Sequence, residues 1–450
     1  MSVAIALVVL VIGSLLFHFL SPWYFTPIAS NWGTIDTTIS ITFWVTGVVF
    51  VAVNLFMAYA IWRYAHRKGA RAHYQPENKK LETWLLVVTT VGVAAMLAPG
   101  LFVWAKFVEA PADAAVVEAV AQQWHWTYRF PGKDGKLGAS DARHVSDANP
   151  FGLDPADPAA RDDVLINGPE FRLPLGKPVK MLLRSKDVLH NFSIAQIRVK
   201  MDLVPGLVTY AWFTPTRTGN FDLLCEELCG IAHFAMRGRM IVEEDGAYQK
   251  WLAQQPTFES LGARPPGNAA AGQALYATCA ACHGPQGEGN QALNAPKLSG
   301  QGAWYVKRQL QLFKQKARGV HDKDTHGKVM APMAAVLADD AAVDNVAAYI
   351  ATLPDKPAPT TVAGNAAAGA ARYGNCGACH GADAGGIRAM NAPRLKGMSD
   401  WYLVTQLRNF RDGVRGGHPD DLYGAQMALM AAILRDDQAI ADMVAHIRKF

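Results

Sequence analysis

The six cysteines fall into three pairs, and each pair stands among residues that could hold a metal. Cys225 and Cys229 share a short run with Glu227, His233 and Met236, and His190 lies upstream. Two thiolates, two imidazoles and a thioether are soft and borderline ligands, a set that suits copper rather than magnesium or calcium. A mononuclear blue-copper site needs one Cys, two His and a weak axial Met, so a second Cys would be redundant. With Cys225 and Cys229 both bridging, two coppers can share one delocalised electron. Each metal then has one imidazole, from His190 or His233, and one weak axial ligand: Met236 on one side, the backbone carbonyl of Glu227 on the other. A structural zinc site would leave Met236 unexplained. A disulfide would leave His190 and His233 unexplained.

The remaining cysteines form two C-x-x-C-H motifs, Cys279, Cys282 and His283, then Cys376, Cys379 and His380. In such a motif the sulfurs bond the vinyl carbons of a haem and the imidazole reaches its iron, so two covalent haem c groups are expected. Cys279, His283, Pro296, Trp304 and Met330 recur 97 residues later as Cys376, His380, Pro393, Trp401 and Met427, a tandem duplication. Covalent haem attachment also places this part of the chain outside the cytoplasm.

The elements that must carry these groups follow from hydropathy and period. No Asp, Glu, Lys or Arg precedes Asp36, and residues 37–62 and 83–105 are uncharged, each long enough to cross the hydrocarbon core. The intervening loop carries Arg63, Arg67, Lys68, Arg71, Lys79 and Lys80, which makes it cytoplasmic by the positive-inside rule and everything after Lys106 periplasmic. Residues 2–20 read as a retained helix rather than a cleaved signal peptide, having no basic n-region. The spans are thus about 2–20, 37–62 and 83–107 of a membrane region 1–110, with Trp23 and Tyr24 at the outer interface. Residues 111–258 read as an all-β sandwich or barrel, and 134–163 as a solvated acidic insertion. Pro- and Ala-rich linkers then set off two haem domains, 264–354 and 361–450. With 43 basic against 38 acidic residues, the charge argues for no nucleic-acid partner.

Asp187-Val-Leu-His190, Val204-Pro-Gly206 and the run from Cys225 to Met236 resemble subunit II of the haem-copper oxidases, the copper-A subunit. The likeness covers residues about 38–258. It implies a cupredoxin fold, copper A on the residues above, and a magnesium ion reached by the Glu227 side chain at the contact with subunit I, near Asp202. Gln123-Trp-His-Trp-Thr-Tyr128 is similar to the family's aromatic run, whose first Trp is the electron-entry position; Trp124 would hold that role. The setting of Glu82 is similar to the segment whose Glu opens a proton-uptake channel. Residues about 268–450 resemble a dihaem cytochrome c of the c4 type. In class I cytochromes the sixth ligand precedes a Leu by seven residues, which selects Met330 and Met427 through Leu337 and Leu434 and leaves Met333 and Met430 as packing.

The whole is expected to be a multidomain chain: N-terminal transmembrane helices, a β-sandwich cupredoxin domain and two all-α class I cytochrome c domains. The implied function is electron transfer from a periplasmic donor, through two haems and copper A, to a separate subunit I that reduces oxygen in a bacterial cytoplasmic membrane. Other oxidase subunits and membrane lipid would be further partners. Asn191 to Gln196 and Ala235-Met-Arg-Gly238 depart from the common oxidase text, so the same relay in a nitric oxide reductase is the alternative. A free-standing membrane-anchored carrier is the second.

Overall fold

The computed structural model describes residues 1–21, 26–69, 71, 74–145, 149, 151–262 and 267–450. Three helices, α1 (Ser2–Leu20), α2 (Gly33–Arg63) and α3 (Lys79–Val108), are each long and apolar enough to cross a membrane. Side chains such as Trp44, Phe56, Leu86 and Phe102 on α2 and α3 are exposed within the chain, so those faces need lipid or another protein to cover them. Trp23 and Tyr24 lie outside the described residues.

The helices are fastened to the next domain at their outer ends. The Arg198 guanidinium grips Asp36, in the first turn of α2, at 2.6 and 2.8 Å. The Trp32 indole donates to the Trp212 carbonyl at 2.9 Å, the Trp212 indole to the Lys106 carbonyl at 3.1 Å, and the Tyr210 hydroxyl to the Val108 carbonyl at 2.6 Å.

That domain is a ten-stranded sandwich: β1 (Ala115–Gln122), β2 (His125–Phe130), β3 (Val164–Asn167), β4 (Glu170–Pro174), β5 (Val179–Ser185), β6 (His190–Ile194), β7 (Val199–Leu203), β8 (Thr209–Phe213), β9 (Gly219–Leu224) and β10 (Arg237–Glu243). The sheets run β3-β2-β1-β5-β8 and β4-β10-β9-β6-β7. Two pairings, β1 with β5 and β10 with β4, are parallel; the rest are antiparallel. Burial alternates along β5 and β10, as it must for strands with one face on a core. Trp126, Tyr128, Phe171, Phe192 and Phe213 fill the space between the sheets.

β2, by contrast, is buried on both faces. The 134–163 insertion, expected to be a solvated loop, folds back over the outer face instead. Its Phe151, Leu153 and Ala160 pack on Val120 and Leu165. Beneath them Arg129 bonds Glu118 at 2.7 Å and Asp163 at 3.0 Å, and Arg184 bonds Glu118 at 2.5 Å. Burial pushes the Asp163 carboxyl up to about 6, against the pull of Arg129. Short helices α4 (Pro158–Arg161), α5 (Asp245–Leu252) and α6 (Phe258–Gly262) complete this region.

The first haem repeat is α7 (Ala269–His283), α8 (Ala303–Lys314), α9 (Thr325–Ala335) and α10 (Asp340–Ile350). The second is α11 (Ala366–His380), α12 (Asp400–Arg411), α13 (Leu422–Ala431) and α14 (Asp437–Ile447). Every helix begins 97 residues after its counterpart, so the duplication read in the sequence is a duplication of structure. The two repeats meet through matching residues. Arg318 donates to Gln309 of its own repeat at 2.7 Å and to Tyr402 and Gln406 of the other at 2.8 and 3.2 Å. Arg415 returns the arrangement, bonding Gln406 at 2.7 Å and, across the interface, Tyr305 at 3.1 Å and Gln309 at 2.7 Å.

Glu118 is the one carboxylate that both Arg129 and Arg184 reach, so Glu118→Gln leaves buried positive charge underneutralised. The substitution is expected to destabilise the sandwich by about 3 kcal/mol, read as a lower urea midpoint for loss of near-ultraviolet circular dichroism.

Candidate metal centre and haem pockets

β9 ends at Leu224 and β10 starts at Arg237, so residues 225–236 form the loop between two neighbouring strands. A backbone bond from Cys225 to Met236 closes its base, and a 3-10 turn over His233–Ala235 tightens its far end. β6, which also pairs with β9, begins at His190 and brings that imidazole to the loop. His190 Nδ1 lies 3.9 Å from Cys225 Sγ, and His233 Nδ1 lies 3.4 Å from Cys229 Sγ. The Glu227 carbonyl is 3.3 Å from Cys225 Sγ, and Met236 Sδ is 3.8 Å from Cys229 Sγ. The two sulfurs are 3.7 Å apart, far beyond the roughly 2.05 Å of a disulfide. All six expected ligand groups therefore converge, with each imidazole and each weak ligand beside one sulfur.

The shared hydrogen bond between the thiols pulls Cys225 down to about 3 and holds the Cys229 proton on well above the ordinary thiol range. Bound copper would erase this difference, since a coordinating thiol is deprotonated outright. Among the described residues, His190, Cys225 and Cys229 are the one group of three or more His, Cys, Asp or Glu side chains placed to hold a metal ion. Glu227 and Asp202 join no such group. The Asp202 carboxylate instead accepts from the Asn191 side chain at 2.6 Å, so the magnesium implied by resemblance gains no support.

Behind the ligands stands a set of bonds whose partners the sequence did not disclose. Asp187 accepts from His190 Nε2 at 2.8 Å and from the Gln123 backbone at 2.7 Å. A carboxylate on the far nitrogen fixes the ring and its tautomer, leaving Nδ1 for a metal. Its position three residues before His190 was the available signal. The Cys229 carbonyl accepts from the Gln123 side chain at 2.7 Å and from the Trp124 indole at 3.2 Å. Trp124 is thus one hydrogen bond from a candidate copper ligand.

In the haem repeats His283 and His380 sit at the ends of α7 and α11, and each Nδ1 is bonded at 2.8 Å to the carbonyl of Pro296 or Pro393. That bond leaves Nε2 to face an iron. Burial lowers both imidazoles, favouring the neutral form that coordinates. Cys279 and Met330 pack against the core of the first repeat, while Met333 is 38% exposed. In the second repeat Cys376, Cys379, His380, Met427 and Met430 all line one cavity. Arg415 and Asp421 line it too, and each has a buried polar atom with no hydrogen-bond partner, Nε and Oδ2 respectively. An apolar cavity with paired cysteines, an imidazole, thioethers and an unused guanidinium N–H fits a covalent haem.

Trp124 lines that same cavity. Gln426 donates to the Trp124 carbonyl at 2.8 Å, and the Tyr423 hydroxyl donates to Asn167 Oδ1 at 2.8 Å. Arg308 lies 4.3 Å over the Tyr423 ring, and the His125 ring is 5.2 Å away. Burial lowers His125 to about 4, so it stays neutral in this contact. Met430 and Cys379 pack against the sandwich core. Met430, expected only to fill space, therefore joins the two domains.

Glu82 stands apart from all of this. It lies in the first turn of α3, where its Oε1 accepts from the Asn78 backbone at 3.2 Å while Asn78 Oδ1 accepts from Leu81 at 3.1 Å. This reciprocal cap gives it a helix-starting role.

Asp187→Asn keeps the shape but removes the charge behind His190, and copper is expected to be held 10- to 100-fold more weakly. Copper content after dialysis against graded chelator checks this. Cys229→Ser removes one of the two thiols that would hold copper, and the copper-to-chain ratio is expected to fall below two with loss of near-infrared absorption.

The cytochrome C oxidase subunit II periplasmic-domain family matches residues 115–244, and the cytochrome c family matches 269–354 and again 366–450. The alternative cytochrome c oxidase subunit 2 of Bradyrhizobium diazoefficiens is 60% identical over 264 residues, which is 59% of this chain and 95% of that protein. Two solved structures are also similar. The periplasmic domain of cytochrome oxidase subunit II from Bradyrhizobium japonicum is 28% identical with a TM-score of 0.24, covering 32% of this chain and 95% of that one. Reduced cytochrome c4 from Pseudomonas stutzeri is 26% identical with a TM-score of 0.33, covering 40% of this chain and 98% of that one. Matched along almost the whole of a relative that shares three residues in five, the chain belongs to the cytochrome c oxidase subunit II family, with two cytochrome c domains following its copper domain.

Proposed function

We propose that this chain is the electron-transfer subunit of a respiratory haem-copper terminal oxidase in a bacterial cytoplasmic membrane, passing electrons from a periplasmic donor to a separate subunit I that reduces oxygen. The observation that carries the reading is the junction at Trp124. One peptide and its indole touch the second haem pocket on one side, through Gln426, and the Cys229 carbonyl on the other. Copper A and haem c supply one-electron exchange when bound, on His190, Cys225, Glu227, Cys229, His233 and Met236, and on Cys279, Cys282, His283, Met330, Cys376, Cys379, His380 and Met427.

The chain's own residues hold those groups and keep water out. Trp124, Cys225, Cys229 and Met236 are all buried, so little solvent has to reorganise when charge moves. A Met opposite His raises an iron potential, which suits transfer rather than oxygen binding. The match along 95% of an alternative cytochrome c oxidase subunit 2 supports assembly with an oxidase over a free-standing carrier. Glu82 is proposed to take up protons at the cytoplasmic side in addition to capping α3.

The purified complex, given reduced soluble cytochrome c, is expected to consume oxygen. Consumption of nitric oxide alone would make the enzyme a nitric oxide reductase, and a chain that purifies without a large haem-bearing subunit would be a carrier. In rapid mixing, Trp124→Leu is expected to slow arrival of electrons at copper by on the order of tenfold, about 1.4 kcal/mol in the barrier, with the copper content unchanged.

A further inference from the structure

The second haem pocket is not built from its own repeat alone. Tyr305, Arg308 and Gln309, all on α8 of the first repeat, line it as well. Shifted by 97 residues, Tyr305 and Gln309 become Tyr402 and Gln406, so those two contributions are alike in both repeats. Arg308 breaks the symmetry. Its counterpart is Thr405, whose hydroxyl donates back to the Trp401 carbonyl at 2.9 Å. Neutral groups hold the Arg308 guanidinium in place: it donates to Asn391 Oδ1 at 2.6 Å and lies 5.0 Å from the centre of the Trp304 ring and 4.3 Å from that of Tyr423. Among the described residues no carboxylate bonds it, and the one acid whose field reaches it, Asp421, lines the same pocket.

Charge then separates the two repeats. Arg394 in the second pocket and its equivalent Lys297 share one partner, Asp355, at 2.7 and 2.6 Å, and so cancel from the comparison. What remains in the second pocket is Arg308 and Arg415 against Asp421. The equivalent positions for the first haem hold Thr405 and Arg318 against Asp324, one cation fewer. Exposed charges run the other way, with Lys323 where the second repeat has Asp420. Salt screens exposed charges over about 10 Å at 0.1 M, and partly buried ones much less.

We propose that Arg308, carried by the first repeat, is a charge partner of the haem in the second, and that its guanidinium raises the reduction potential of that haem above that of the haem in its own repeat. The inference rests on the relay reading above. Reduction adds one electron, so a fixed cation beside a haem favours the reduced form by simple Coulomb attraction. The surroundings of a haem are a recognised lever on its potential. Because Arg308 comes from across the interface, the second haem acquires this setting only when the two repeats are docked. The haem beside Trp124 becomes the better acceptor, and electrons are drawn toward the copper domain.

The test is a spectroelectrochemical titration of the haem c absorption in the intact detergent-solubilised complex. Met330→His and Met427→His, each displacing one wave, assign the two waves to their repeats. Arg308→Gln is expected to lower the second haem by about 59 mV, a tenfold change in its reduced-to-oxidised ratio, and to leave the first where it was. Arg308→Lys should restore most of that loss, which a role in packing alone would not allow. Should glutamine disturb the fit between the Trp304 and Tyr423 rings, Arg308→Met fills the gap without charge and is expected to shift the wave equally. The gap between the two haems should also persist at high salt. Equal displacement of both waves, no displacement, or a lysine variant that behaves as the glutamine one would overturn the assignment. So would a second haem lower in potential than the first in the unsubstituted complex. If the second wave shifts as expected but rapid mixing shows no haem of the chain passing electrons to copper, the relay reading fails and the role of Arg308 stands.

Discussion

One carbonyl oxygen, that of Cys229, receives both the Gln123 side chain and the Trp124 indole. The loop carries four side chains expected to hold copper, and its ends are fixed by two strands. These bonds pin its middle to the β1–β2 turn, and Asp187 adds a second tie by holding Gln123 and His190 together. The same turn is what the second haem repeat rests on, through Gln426. The cysteine loop, Trp124 and the docked domain thus share one short stretch of backbone, and a shift in that stretch would disturb all three.

The chemistry was largely legible in the sequence because ligand chemistry is local. C-x-x-C-H states both the attachment and the axial imidazole in five residues, and the run from Cys225 to Met236 holds all but one of the copper-site groups. The duplication was legible for the same reason, as a fixed offset between unusual residues. The three spans followed from uncharged runs, and the β domain from short β-rich runs separated by Gly, Pro and Asp clusters. What escaped was whatever depends on distant partners. Acidic composition made 134–163 look solvated, but the buried Glu118–Arg129–Asp163 group and the Phe151 cluster draw it onto the sandwich. Met430 read as filler because nothing near it in sequence announces the copper domain. Glu82 stood out only through the resemblance to a proton-channel segment, and its cap to Asn78 is a further use that propensity alone does not select.

The two repeats also show how little sequence change redirects a surface. Their helices start in register throughout, and His283 and His380 lean on prolines in the same way. Two side chains, Tyr423 and Gln426, supply the polar part of the contact that covers one of them. Backbone and haem chemistry stay constant while the outer face of a single helix decides what each domain touches.

The reciprocal bonding of Arg318 and Arg415 carries a consequence of its own. Each arginine joins its own glutamine and reaches the tyrosine and glutamine of the other repeat, so residue i meets j and j meets i. That is the pattern of a two-fold interface, one surface recognising a second copy of itself. A surface of this kind needs no covalent link to form, only concentration, and the linker at 354–365 supplies it by holding the halves at an effective concentration in the millimolar range. Fusion therefore turns a symmetric recognition, open to any copy, into a private one, and frees the outer faces of the two halves to be put to different uses.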